Sequence, residues 1–144
     1  MLQINQTRVS DAIPVSQTRT GQENGNCFAA CLASILDRPI WDIPEFGGDE
    51  EFLINIQDFL EPLGLYYVQM KPDDPVLEIA FRRGEVFHTI EGISPRGGEH
   101  AIVGLNGSPI WDPHPPHTGG LVSVECFGLL CARMDKRKKE GTRR

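Results

Sequence analysis

The 144-residue chain is 40% apolar and 24% charged, with a net charge of −6, the composition of one soluble globular domain. A domain of this length buries roughly 70% of the surface its unfolded chain exposes, so it needs no metal or disulfide staple. No apolar run nears the ~20 residues of a membrane span. Met1–Val15 lacks a charged start followed by an apolar core, so no signal peptide is expected and the expected location is cytoplasmic.

In chain order, residues 1–23 read as an irregular arm rich in Gln, Thr and Ser. Residues 26–37 (NCFAACLASILD) predict a helix, with Phe28, Cys31, Leu32, Ile35 and Leu36 on one face. Asn24 or Asn26 can cap its start, and Pro39 follows its end. Residues 49–61 predict a second amphipathic helix with Phe52, Ile56, Phe59 and Leu60 inward, ended by Gly64. A strand at 65–70, a Pro-Asp-Asp-Pro turn and a short helix at 76–83 follow. Strand patterns then take over. Residues 86–90 alternate, and 99–105 are short and apolar. Asn106-Gly107 signals a hairpin turn into a return strand at 108–111. Residues 121–133 predict one or two further strands. Helices first and an antiparallel sheet second is an α+β order.

Residues 1–132 form the expected single domain, holding 18 acidic and 7 basic side chains, a net of −11. An acidic body of this kind is a poor nucleic-acid binder, because phosphate contacts need clustered Lys and Arg. Residues 133–144 hold 7 basic and 2 acidic side chains, a net of +5, and predict a flexible tail. If nucleic acid is a partner at all, the tail is where it would bind.

Chemistry concentrates at two places. Cys27 falls in the first turn of the first predicted helix, where unpaired N–H groups and the helix dipole favour negative charge and lower a thiol's pKa. A thiolate there is a nucleophile. His100 opens the strand at 99–105, and Asp112 ends the strand that returns from the hairpin. Cross-strand neighbours lie within ~5–8 Å, close enough for a His–Asp hydrogen bond. A strict two-residue turn, however, would put His100 and Asp112 on opposite faces. A bulge near Ser108-Pro109 is therefore expected. Cys31, one turn beyond Cys27 on the apolar face, reads as core.

The segments GNCFAACLASIL and EHAIVGLNGSPIWDPHP, about a fifth of the chain, resemble papain-like cysteine peptidases. They are most similar to the bacterial peptidases that trim double-glycine leaders from bacteriocins, and also resemble small uncharacterised proteins of bacteria and phages. The resemblance implies a papain-like α+β fold, with the cysteine helix packed on the C-terminal sheet. It implies Cys27 as nucleophile, His100 as base and Asp112 as orienter. It implies a peptide or protein substrate and no cofactor. The family also carries a glutamine before the cysteine that helps bind the oxyanion. Gln22 and Gln17 are candidates for that role, with Asn26 as a third. No transporter domain accompanies the chain, so leader processing for export is not supported.

Two other readings compete. Cys27-x3-Cys31 and Cys126-x4-Cys131, with His114 and His117 nearby, supply ligand types for zinc. A binding module without catalysis could use the same fold. The loop 112–117 (DPHPPH) reads as a stiff rim with two solvated histidines, His88 as structural or exposed, and Trp41 and Trp111 as core or cleft wall.

Overall fold

A computed structural model describes residues 14–16, 18, 26–46 and 49–133. Helix α1 (Cys27–Leu36) ends where Asp37 turns left-handed, a conformation a short polar side chain tolerates. A 3-10 turn (Ile40–Asp42) leads towards α2 (Asp49–Leu60), and a second 3-10 turn (Glu61–Leu63) ends at left-handed Gly64. Strand β1 (Leu65–Met70) precedes α3 (Pro75–Arg82). The start of α3 follows from its sequence, since the Asp74 carboxylate accepts from the Val76 N–H and Pro75 takes the first helical position. The remaining strands are β2 (Phe87–Ile93), β3 (Glu99–Leu105), β4 (Ser108–Trp111) and β5 (Ser123–Ala132).

The described residues form an α+β structure of three helices and a five-stranded antiparallel sheet in the order β1-β5-β2-β3-β4. Residues 123–132 make one continuous strand. It lies between β1 and β2, so the chain's last strand is central. This explains why β1 precedes α3 in sequence yet belongs to the sheet. Edge strand β1 is covered at Tyr67, whose N–H and carbonyl pair with the Gln57 amide of α2 at 3.0 and 2.8 Å. The glutamine stands in for a sixth strand at that position.

The sheet is buried on both faces, which is why 99–105 reads as a continuous apolar run. On one face, Cys31, Leu32 and Ile35 of α1 join Phe87, Ala101, Val103 and Leu130. On the other, Leu77 of α3 joins Ile90, Ile102, Phe127 and Leu129. Truncating Leu32 or Ile35, both fully buried, to Ala would cost about 3 kcal/mol.

Two outlying segments of the described residues are tied to the helix and sheet. Val15 N–H donates to Ser34 Oγ on α1, and Trp111 Nε1 donates to the Val15 carbonyl. In the second segment, Arg133 N–H donates to the Gly64 carbonyl. Residues 134–144, where a nucleic-acid contact was expected, lie outside the described residues. No helix among the described residues is long and apolar enough to cross a membrane.

Candidate active site

The hairpin β3–β4 builds the His100–Asp112 pair. Asn106 and Gly107 both have positive φ, as the two-residue turn requires. Leu105 pairs with Ser108 and Gly104 with Pro109, but Val103 then pairs with Trp111, leaving Ile110 as an extra residue. This is the expected irregularity, one residue beyond its expected place. The shift puts Asp112 in register with Ile102, on the same face as His100. His100 Nε2–H donates to Asp112 Oδ1 at 2.7 Å, and both side chains are almost fully buried.

Three donors serve the Asp112 carboxylate. Besides His100, the His114 N–H reaches Oδ1 at 2.9 Å and the Gly120 N–H reaches Oδ2 at 2.7 Å. Burial pushes this carboxyl's pKa up, but the three hydrogen bonds together outweigh it and hold the group below its ordinary value. Asp112 is therefore the ionised acceptor. That assigns the imidazole proton to Nε2 and leaves Nδ1 with the basic lone pair.

Cys27 is the first residue of α1, and its thiol meets the N–H of Ala101, the residue after His100. The N–H groups of Ala101, Phe28 and Cys27 itself favour its thiolate. Ala101 is free to donate because the β3–β4 ladder stops at Val103. The expected lowering of the thiol's pKa is nonetheless reversed. Burial is the largest influence and raises it, the Asp112 charge adds to the rise, and the three N–H groups only partly compensate. His100 moves the opposite way: burial lowers its pKa more than Asp112 raises it, with Arg96 and His114 lowering it further. Both effects favour uncharged partners at rest. Among the described residues a hydrogen bond joins His100 to Asp112, and none joins His100 to Cys27.

Of the oxyanion candidates, Gln17 and Gln22 lie outside the described residues. Asn26 precedes α1 without capping it. Its side-chain oxygen accepts from Thr18 N–H at 3.0 Å, and its Nδ2 donates to Thr18 Oγ1 at 2.8 Å.

The loop 112–117 corrects the expectation of solvated histidines. His117 Nδ1 bonds the Asp112 carbonyl at 2.7 Å, and its ring stacks on Trp111 with centroids 4.3 Å apart. The His114 ring meets His100 edge-on at 6.0 Å, and its Nδ1 is buried without a hydrogen-bond partner among the described residues. Trp111 is half-buried, whereas Trp41 is 83% exposed. The supporting donors at His114 and Gly120 were not foreseen. The Gly119-Gly120 pair after the loop is the one sequence signal that the chain turns back on Asp112.

The zinc reading loses its ligand set. All four cysteines are free. Cys31 is fully buried in the α1 core, and Cys126 and Cys131, an odd number of residues apart on β5, point to opposite faces. No group of three His, Cys, Asp or Glu side chains among the described residues could hold a metal ion.

No family model, curated protein or solved structure matches this chain.

Proposed function

We propose that this protein is a cysteine hydrolase with a papain-like arrangement, most simply a peptidase, cleaving an amide, isopeptide or thioester bond. The observation that carries the reading is the buried His100–Asp112 pair standing one residue from the N–H that touches the helix-head thiol. A carboxylate that fixes the tautomer of a buried histidine, next to a thiol at a helix start, is the set of parts covalent acyl transfer uses.

The reaction follows from the tautomer. Cys27 Sγ attacks the carbonyl carbon while its proton passes to His100 Nδ1. Asp112 stabilises the imidazolium that forms. The Cys27 main-chain N–H and a side-chain amide before it receive the oxyanion, a contribution of ~3–4 kcal/mol in related hydrolases. Collapse of the adduct expels the amine, which takes the proton from Nδ1 and leaves a thioester. Water then attacks that thioester with Nδ1 as base, the acyl C–S bond breaks to release the acid, and the proton on Nδ1 returns to Cys27 Sγ. Because thiol and imidazole both favour the neutral state, proton transfer accompanies attack instead of preceding it. Four free thiols fit a reducing compartment, and the proposed location is the cytoplasm.

The raised thiol pKa and the missing Cys27–His100 hydrogen bond favour a second reading, a peptide- or partner-binding module without catalysis. One experiment separates the two: iodoacetamide labelling across pH, with peptide mass mapping, on wild type and His100→Ala. The hydrolase reading expects Cys27 to react faster than Cys126, whose thiol is pushed up to about 12, and faster than Cys131. It also expects Cys27 to slow in the variant. A Cys27 that reacts no faster than those two, or is indifferent to His100, leaves the binding module.

A further inference from the structure

Arg96 stands at the tip of the hairpin that joins β2 to β3. Its backbone is held there: Ser94 N–H donates to the Gly98 carbonyl at 2.8 Å, Gly97 N–H to the Ser94 carbonyl at 2.9 Å, and Arg96 N–H to Ser94 Oγ at 3.2 Å. The side chain reaches across to Gly119, where an added Cβ would lie 3.2 Å from Arg96 Nη1 and 3.6 Å from Asp112 Oδ2. Guanidinium and carboxylate thus flank one glycine, which leaves room for both. The positive charge reaches His100 and opposes its protonation. Yet Arg96 is exposed and makes no ion pair with any described residue, in a chain that carries 20 acidic side chains.

We infer that Arg96 is a specificity-determining residue that binds a carboxylate on the leaving-group portion of the substrate. The inference rests on the hydrolase reading, and it follows from which side of the site Arg96 occupies. His100 hands its proton to the leaving amine, so the leaving portion lies over His100. Arg96 is on that side, beyond Asp112, whereas α1 and Cys27 approach from Ala101. A guanidinium offers a planar fork of donors that matches a carboxylate. The acidic body as a whole would suggest a cationic substrate, but outside the pair itself the charge that acts most on His100 is that of Arg96, of the opposite sign, and a cleft's local field outranks the net charge.

The test needs no known substrate. The alkylation rates of Cys27 with iodoacetate and with iodoacetamide are measured on wild type, Arg96→Gln and Arg96→Lys. The ratio of the two rates cancels any change in thiol or imidazole ionisation. Arg96→Gln is expected to lower the iodoacetate-to-iodoacetamide ratio about fivefold at low salt, with the loss shrinking as salt is added, and Arg96→Lys to restore most of it. A ratio unchanged in Arg96→Gln overturns the inference, as does a loss that Lys does not restore, because charge would then not be the cause. The hydrolase reading is judged separately, on iodoacetamide alone with and without His100. Two further alkylating probes distinguish the source of the carboxylate. N-iodoacetylglycine presents it at a chain end and N-iodoacetylaspartic acid amide on a side chain. The probe whose rate depends more on Arg96 identifies which is read, and equal dependence means charge is read at either place.

Discussion

His88 and His100 begin from similar circumstances. Both are buried, on the paired strands β2 and β3, and each faces a glycine of the other strand, Gly104 and Gly92 respectively. They share one face of the sheet, and burial lowers the pKa of both. At the closed end of the β3–β4 hairpin, His88 Nδ1–H donates to the Thr89 carbonyl and Nε2 accepts from Gly107 N–H, each at 2.9 Å. Phe81 stacks on its ring, Phe127 lies tilted against it, and the two phenyl rings touch each other, so both nitrogens are in use and the ring is packed among aromatics. At the open end, His100 gives one nitrogen to an ionised carboxylate and keeps the basic lone pair of the other. The backbone decides between them. A turn whose N–H groups point inward completes the first histidine, whereas a strand edge abandoned by its partner leaves the second available for chemistry.

The largest expected effect comes from the structural histidine. His88→Ala removes a stacked ring and orphans the Gly107 N–H, which should cost about 3 kcal/mol in urea unfolding. Alkylation of Cys27 in the folded protein should be unchanged. A stability loss below about 0.5 kcal/mol, typical of surface sites, would erase the distinction between the two residues.

His100→Ala should do the reverse, slowing Cys27 alkylation near neutral pH by about 100-fold, within the usual range for acid–base assistance. If His88→Ala slowed the thiol as much, the effect would be one of folding rather than chemistry.

Gly104→Ala tests the space behind His88. Its Cβ would stand 2.7 Å from His88 Cε1 and from Ile90 Cδ1, and such overpacking should cost about 2 kcal/mol. A neutral result in a thermal melt would mean the ring is not tightly held.

The smallest effect is in pH dependence. Folding lowers both imidazole pKa values from 6.5, so below that pH the unfolded chain binds more protons than the folded one. Stability from the neutral rings is complete above pH 6.5 and is lost as pH falls from there towards the folded values. Asp112, lowered from 3.8, keeps its contribution until pH falls below that value. Unfolding free energies from urea titrations should therefore decline as pH falls below about 6.5, and less steeply in His88→Ala. A flat profile there would mean the imidazoles take up protons without strain.

Much of the local structure was legible in the residues. The spans of β1, β3 and β4 and the three helices followed from periodicity, caps and turn pairs, because these are short-range effects. Even the bulge was legible, since side-chain parity along 100–112 admits His100 and Asp112 on one face only with an extra residue. The polar support of the site was less so. His114 and Gly120 act through main-chain N–H groups, which no side-chain pattern reveals, and Arg96 comes from a hairpin tip whose reach depends on space left by Gly119.

What the sequence determined by itself was the set of parts: a cysteine at a helix head, a histidine at a strand start, an aspartate after the return strand, and an acidic body with a basic end. What only the tertiary structure decided was their state. Burial depends on how α1, α3 and the sheet pack together. That packing raises the Cys27 pKa against the pull of its helix, lowers that of His100 against the pull of Asp112, and scatters four cysteines whose spacing suggested a metal. Desolvation is a property of the whole surrounding volume, so it cannot be read from any one segment of the chain.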